Sequence, residues 1–196
     1  LAKISDVLGL DVVDIIDGMS TKPFGKGPYY PGVGVGGHCI AVDPEWLKAA
    51  SIKAGYMPEL VQLSRNTNNS MPDYTFRLLQ DRLNEIGLPV KGAKVAVLGV
   101  SYKRNVDDPR ESPFYELRDI LLEKGALLSV YDSWIDIENT HDSVESVIEG
   151  CVAVVLVTDH SDIVSEVSRQ LFETKSVRIV IDGRNALDPK KLSQSI

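Results

Sequence analysis

Cys39 closes a run in which Gly32, Gly34, Gly36 and Gly37 put four glycines within six residues. Backbone without a Cβ passes through left-handed conformations cheaply and lets another group approach closely. Four residues further on, Asp43-Pro44 opens an expected helix from Glu45 to Ala50, with Asp43 as its N-cap and Pro44 at its first position. A thiol near a helix N-terminus sits in a positive field that favours the thiolate. The pattern therefore points to a nucleophilic sulfur beside a glycine-lined seat for a ligand. A buried structural cysteine needs none of these glycines. Cys151, which begins the apolar run Val152 to Val157, has that plainer role of a small core residue. Asp43 carries two compatible readings, because capping uses one carboxylate oxygen and leaves the other for chemistry.

A second group of polar residues falls at the ends of expected strands. Tyr102-Lys103 offers a stacking ring and a point charge suited to a base or sugar and a phosphate. Asp132, Thr158-Asp159-His160 and Asp182-Gly183-Arg184-Asn185 lie at the same expected edge. Arg110, in Asp107-Asp108-Pro109-Arg110, has a local alternative in pairing with Asp107 or Asp108. Arg184 has one as a solvated turn residue, and Lys103 as an exposed surface lysine. His38, His141 and His160 lack the spacing of metal ligands, so no metal site is expected. His38 adjoins Cys39, but adjacent side chains generally point apart.

The elements that must position these residues fall into two blocks. Residues 1–20 read as a helical pair, with a stop at Gly9 and a cap at Asp11, and residues 21–38 read as loop. Apolar periodicity from Pro58 to Ile86 predicts long helix, broken near Met71-Pro72. Leu88 to Gly92 looks like a linker. Beyond it, β-branched runs at Lys94–Val100, Leu127–Tyr131, Val152–Val157 and Arg178–Ile181 alternate with helical segments at 112–124, 144–149 and 162–172. Strand and helix in alternation imply a parallel, Rossmann-like sheet covered on both faces, with ligands beyond the carboxyl ends of its strands. The expected fold class is α/β: a mainly helical central segment over 1–88, then a Rossmann-like domain over 89–196.

Bulk properties narrow the partners. A net charge of −7 over 196 residues argues against nucleic acid. No apolar run has the length of a membrane span, and two cysteines are too few for a disulfide framework, which suits a cytoplasmic protein.

Gly34 through Pro44, with His before the cysteine and Val42-Asp43-Pro44 after it, resembles the nucleophile segment of the UDP-glucose/GDP-mannose dehydrogenase family, in the form of its UDP-N-acetylhexosamine branch. Leu98 to Pro113, Val157 to His160 and Asp182 to Asn185 resemble three further signatures of that family in the same order. The resemblance implies NAD-dependent oxidation at C6 of a UDP-sugar to the uronic acid, with UDP-N-acetyl-D-mannosamine leading and UDP-N-acetylglucosamine or UDP-glucose as alternatives. It implies that Cys39 forms a thioester, that Asp43 assists the hydrolytic water, and that glycine-loop amides near Cys39 hold an oxyanion. By the same resemblance Tyr30, Gly34 and Gly36 line the sugar, Tyr102 and Lys103 bind UDP, and Arg184 contacts the nucleotide sugar. Arg110 reaches the cofactor pyrophosphate, and Lys22 or Lys26 replaces a family arginine that reaches a neighbouring subunit's substrate. It further implies a homodimer or higher oligomer through the long helix, for which packing within the chain is the competing use. It places the catalytic lysine and asparagine and the NAD-binding domain ahead of residue 1, so that the chain is expected to be a C-terminal half, inactive alone. The rival of another class is a non-catalytic UDP-sugar-binding and dimerisation module.

Overall fold

A computed structural model of the protein describes residues 1–24 and 27–187. Lys26, one of the two lysines considered for the substrate loop, lies outside the described residues. By packing the chain divides into two units, the first running from Leu1 to Gly32 and the second starting at Val33.

The N-terminal unit holds α1 (Ala2–Leu8) and α2 (Val12–Ser20). Gly9 ends α1 in the left-handed conformation at φ 66°, and the Asp11 carboxylate caps α2 by accepting the Val13 N–H at 2.7 Å.

The larger unit begins with α3 (Cys39–Lys53), α4 (Glu59–Asn69) and α5 (Met71–Glu85), followed by β1 (Lys94–Leu98). It continues through α6 (Pro113–Glu123), β2 (Leu127–Tyr131), α7 (Val144–Val147) and β3 (Ala153–Leu156). Then come α8 (Ser161–Glu166), α9 (Arg169–Thr174) and β4 (Ile179–Asp182). The strands are all parallel, in the order β2-β1-β3-β4, with Val95 level with both Leu128 and Ala153. The α/β class is as the alternation of strand and helix implied.

Side chains of β1 alternate between the faces of the sheet and divide the core into two. Val95 and Val97 pack with Phe76, Leu79 and Leu83 of α5 and Phe114, Leu117 and Leu121 of α6. Ala96 and Leu98 pack on the other side with Val144, Val147, Ile148, Ile163 and Phe172. Each of these side chains larger than alanine, fully buried, contributes about 1.5–3 kcal/mol of transfer free energy. The apolar face of α5 is therefore spent within the chain, against the sheet. In α4 no residue is buried, and Leu60 and Leu63 are 76% and 64% exposed.

Two expectations change and a third is met. The helix expected from Asp43-Pro44 starts earlier, at Cys39, because the Val42 N–H already closes a helical bond on the His38 carbonyl at 2.8 Å. Pro44 is thus inside the helix, and Asp43 is not its N-cap. The helix expected over 162–172 is two helices, since Val167 turns extended at ψ 121° and Ser168 caps a new start by accepting the Leu171 N–H. The break near Met71-Pro72 falls at Ser70, between α4 and α5.

Candidate active site

Cys39 is exposed and is the first residue of α3, and Asp43 follows one helical turn later on the same face. Both line a groove of about 660 Å³ between α3 and α4, whose walls include Pro44, Leu47, Leu60 and Arg65. A thiol and a carboxylate thus face one mostly apolar cleft.

What holds this segment was not visible in the motif itself. A proline at position 44 cannot donate to the Ile40 carbonyl, which a mid-helix proline leaves open at a cost of about 3 kcal/mol. Arg65 of α4 answers it, with Nη1 3.5 Å from the Ile40 oxygen while Nη2 donates to Asn69 Oδ1 at 3.0 Å. The buried Nε of Arg65 makes no hydrogen bond, and its nearest carboxylate oxygen, on Glu45, is 4.0 Å away. Three residues along α4, Asn68 Oδ1 accepts the Val35 N–H at 3.1 Å. The unbroken polar run from Ser64 to Asn69, which follows the three apolar residues of α4, was the available signal for this brace.

The glycines answer to the protein's own backbone. A Cβ on Gly36 would meet the Glu111 carbonyl and stand 2.7 Å from Tyr102 Cβ. Gly37, at φ 78°, lies under the Tyr102 ring, 2.7 Å from a would-be Cβ to Cε2, and its N–H donates to the Arg110 carbonyl at 3.0 Å. The amides of Val35 and Gly37 are consequently committed within the chain. Those without a helical acceptor are in the first turn of α3. Gly34 borders a second cavity of about 390 Å³, which shares Val35, Arg65 and Asn68 with the groove. In this second cavity, burial and then Asp73 push the Glu116 carboxyl up.

The other cluster forms at the carboxyl ends of the strands. Consecutive crossovers diverge between β1 and β3, a switch point where loops part and open a crevice. Tyr102 and Lys103 lie on the loop after β1, and the exposed Lys103 ammonium has no ion-pair partner among the described residues. Asp159, after β3, draws in both Arg184, Nε to Oδ1 at 3.1 Å, and Arg104, Nη1 to Oδ2 at 3.6 Å. Asp182 fixes the turn that carries Arg184 by accepting the N–H groups of Arg184 at 2.9 Å and Leu187 at 2.7 Å. Arg110 grips the Asp108 carboxylate, Nε to Oδ1 at 2.9 Å and Nη2 to Oδ2 at 2.6 Å, and this pairing brings the Asp108 carboxyl down to about 2. Tyr30 belongs to the N-terminal unit, where its hydroxyl donates to Asp17 at 2.5 Å and that bond pushes the phenol up. Lys22 is exposed in the same unit.

No three metal-ligating side chains gather among the described residues, and no helix there is long and apolar enough to cross a membrane. The loop after β1 offers no glycine cradle for a dinucleotide. Gly99 is pressed against Thr158, where a Cβ would stand 2.5 Å from the Thr158 nitrogen.

Two family models match the chain: the UDP-glucose/GDP-mannose dehydrogenase central domain over residues 1–70, and the UDP-binding domain of the same family over residues 96–189. A UDP-N-acetyl-D-mannosamine dehydrogenase of Pyrococcus horikoshii is 34% identical over 91% of this chain and 41% of its own length. A UDP-N-acetyl-D-glucosamine 6-dehydrogenase of Pseudomonas aeruginosa is 32% identical over 71% of this chain and 32% of its own. The solved structure of a UDP-D-ManNAc dehydrogenase from Pyrococcus horikoshii superposes with a TM-score of 0.89 at 32% identity, covering 98% of this chain and 44% of that one. The chain thus spans about two fifths of the length of the relatives it matches. The two family models together cover residues 1–70 and 96–189, and the chain belongs to the UDP-glucose/GDP-mannose dehydrogenase family.

Proposed function

We propose that this chain supplies the thiol and the nucleotide-sugar site of an NAD-dependent dehydrogenase that oxidises UDP-N-acetyl-D-mannosamine at C6 to the uronic acid. The observation that carries the proposal is the placement of Cys39 and Asp43 one helical turn apart, on one wall of one groove. NAD, when bound, supplies the oxidant for the two steps from alcohol to aldehyde and from thiohemiacetal to thioester. The chain's described residues do not cradle it. Arg110 is the side chain offered to its pyrophosphate, and the rest of that site belongs to protein outside these residues.

The thiolate of Cys39 adds to the C6 aldehyde, forming the C–S bond while the carbonyl oxygen takes up a proton. Covalent capture keeps a reactive aldehyde from escaping and divides a four-electron oxidation into two steps. First-turn N–H groups of α3, rather than the committed amides of Val35 and Gly37, are the donors for the oxyanion. Asp43 then accepts a proton from water as the water oxygen bonds to the thioester carbon and the thiolate leaves. Lys103 and Arg184 bind the diphosphate at the strand ends, and Tyr102, Gly34 and Gly36 surround base or sugar. A homodimer and a cytoplasmic setting complete the proposal, with the exposed apolar residues of α4 available for assembly.

Calorimetric titration with UDP, GDP and NAD in separate runs tests it. UDP should bind, GDP much more weakly, and NAD not at all. NAD binding in place of UDP, or formation of NADH by these 196 residues alone, would overturn this division of labour. UDP-N-acetyl-D-glucosamine is the second substrate reading, favoured by the Pseudomonas aeruginosa relative, and competition between the two epimers for Cys39 protection separates them.

A further inference from the structure

Asp132 and His160 are both completely buried, and neither takes part in the chemistry above. The Asp132 carboxylate, just past β2, gathers donors from three separate loops. Its Oδ1 accepts the N–H groups of Trp134 at 2.7 Å and Ile135 at 3.0 Å. Its Oδ2 accepts those of Val100 at 2.6 Å and Ser101 at 2.9 Å, and His160 Nε2 at 3.0 Å.

The other ring nitrogen of His160 settles the direction of that last bond. Nδ1 accepts the Asn105 N–H at 2.9 Å, so the ring proton is on Nε2 and points at Asp132. The Trp134 ring stacks on the imidazole, with centroids 6.1 Å apart and planes 15° apart. Asn105 itself holds a left-handed backbone at φ 56°, and its side chain bonds the Ser161 N–H at 2.9 Å and the Ser161 hydroxyl at 2.8 Å. On the other side of Tyr102-Lys103-Arg104, the Ser101 carbonyl accepts from the Thr158 hydroxyl at 2.5 Å. The loop is therefore tied at both stems, through Ser101 and through Asn105. Of the residues between them, Arg104 pairs with Asp159 and Tyr102 packs on Gly37, while the Lys103 side chain makes no ion pair among the described residues.

From this we infer that His160, with its tautomer fixed by Asp132, is a positioning residue for the nucleotide-binding loop and acts through the Asn105 backbone. The inference rests on the reading that Lys103 binds UDP. A role in packing alone would be met by an apolar side chain, since burying polar groups costs free energy unless all are paired. Here both ring nitrogens are paired, one to the anchor and one to the loop. That arrangement links the end of β2 to the stem of the β1 loop through a rigid, proton-ordered ring.

The test uses the 196-residue chain and three variants, with UDP as the probe. His160→Leu should weaken UDP binding by about tenfold or more, the scale of one unmet buried hydrogen bond, and speed amide exchange over residues 100–108. His160→Gln, whose amide both donates and accepts, should recover most of the affinity. Asn105→Gly keeps the left-handed backbone and the N–H to His160 and should leave the amide at position 105 protected; free exchange of that amide in a folded variant would overturn the inference, which keeps the test available should His160→Leu not fold. The inference is overturned by a folded His160→Leu chain with wild-type affinity and wild-type exchange. It is equally overturned by an Asn105 amide that exchanges freely in the wild-type chain. A wild-type chain that ignores UDP while its loop exchange still responds to position 160 would remove the UDP reading and leave the latch standing.

Discussion

Arg65 Nη1 stands 3.5 Å from the carbonyl oxygen of Ile40, the acceptor that Pro44 deprives of its helical donor. The relationship joins two helices at the turn that carries Cys39. Replacing Arg65 with Met should cost about 1 kcal/mol in denaturant unfolding and speed amide exchange across residues 39–43. Lysine at 65 should not restore the loss, because one ammonium cannot reproduce the fork that also holds Asn69. Unchanged exchange in Arg65→Met would show that the helix start needs no support from α4.

The two thiols should separate cleanly under alkylation. Cys39 is exposed, whereas Cys151 is buried and its thiol is pushed up by that burial. Iodoacetamide at neutral pH should modify Cys39 at least about tenfold faster than Cys151, by peptide mass mapping over time. A UDP-sugar should slow the reaction at Cys39 only. Equal rates at both would remove Cys39 from the nucleophile role.

Asp132 sets an acid limit on stability. Burial opposes its charge, but the His160 hydrogen bond and the backbone donors of Ser101, Val100 and Trp134 outweigh it, leaving the carboxyl lowered from 3.8. A carboxyl lowered on folding stabilises the native state above its unfolded value, and that stabilisation disappears as pH falls through the folded value. Unfolding free energy should therefore drop as pH falls below about 4, and Asp132→Asn should flatten that slope. At neutral pH the same substitution should cost about 3 kcal/mol, since an amide oxygen cannot serve five donors. An unaltered acid slope in Asp132→Asn would place the acid limit elsewhere.

The helices before the sheet should respond in opposite ways to truncation. Leu79, with no exposed surface, packs α5 on the sheet, and Leu79→Ala should cost about 2–5 kcal/mol. Leu60→Ala on α4 should change stability by under about 0.5 kcal/mol. A large loss at Leu60 in a dilute sample, fading at high protein concentration, would instead report a face covered by a second copy.

The strands, the crossovers and the pairing of an exposed thiol with a nearby carboxylate were legible because each rests on local signals. β-branched runs recur at strand length, and Cys39 and Asp43 stand four positions apart, the spacing that one helical turn closes. The start of α3 was misplaced because Pro44 reads as a first-turn residue until a donor from elsewhere is allowed for, and Arg65 is 21 positions from it. The Asp132–His160 pair was hidden for a related reason. Twenty-eight residues separate its members, and only the register of β1, β2 and β3 makes them neighbours. The glycines were read as room for a ligand, and for Gly36 and Gly37 the neighbour that needs the room includes Tyr102.

That last contact ties two distant stretches of sequence into one unit of inheritance. The backbone at 36–37 has shed its side chains to accept an aromatic ring at 102 and a carbonyl at 111. A change of shape at any one of these positions leaves the others mismatched. The glycine-cysteine segment is therefore not a portable cassette. Moved to another scaffold, it would have to travel with the loop from Tyr102 to Glu111, and drift at position 102 should be matched by drift at 37.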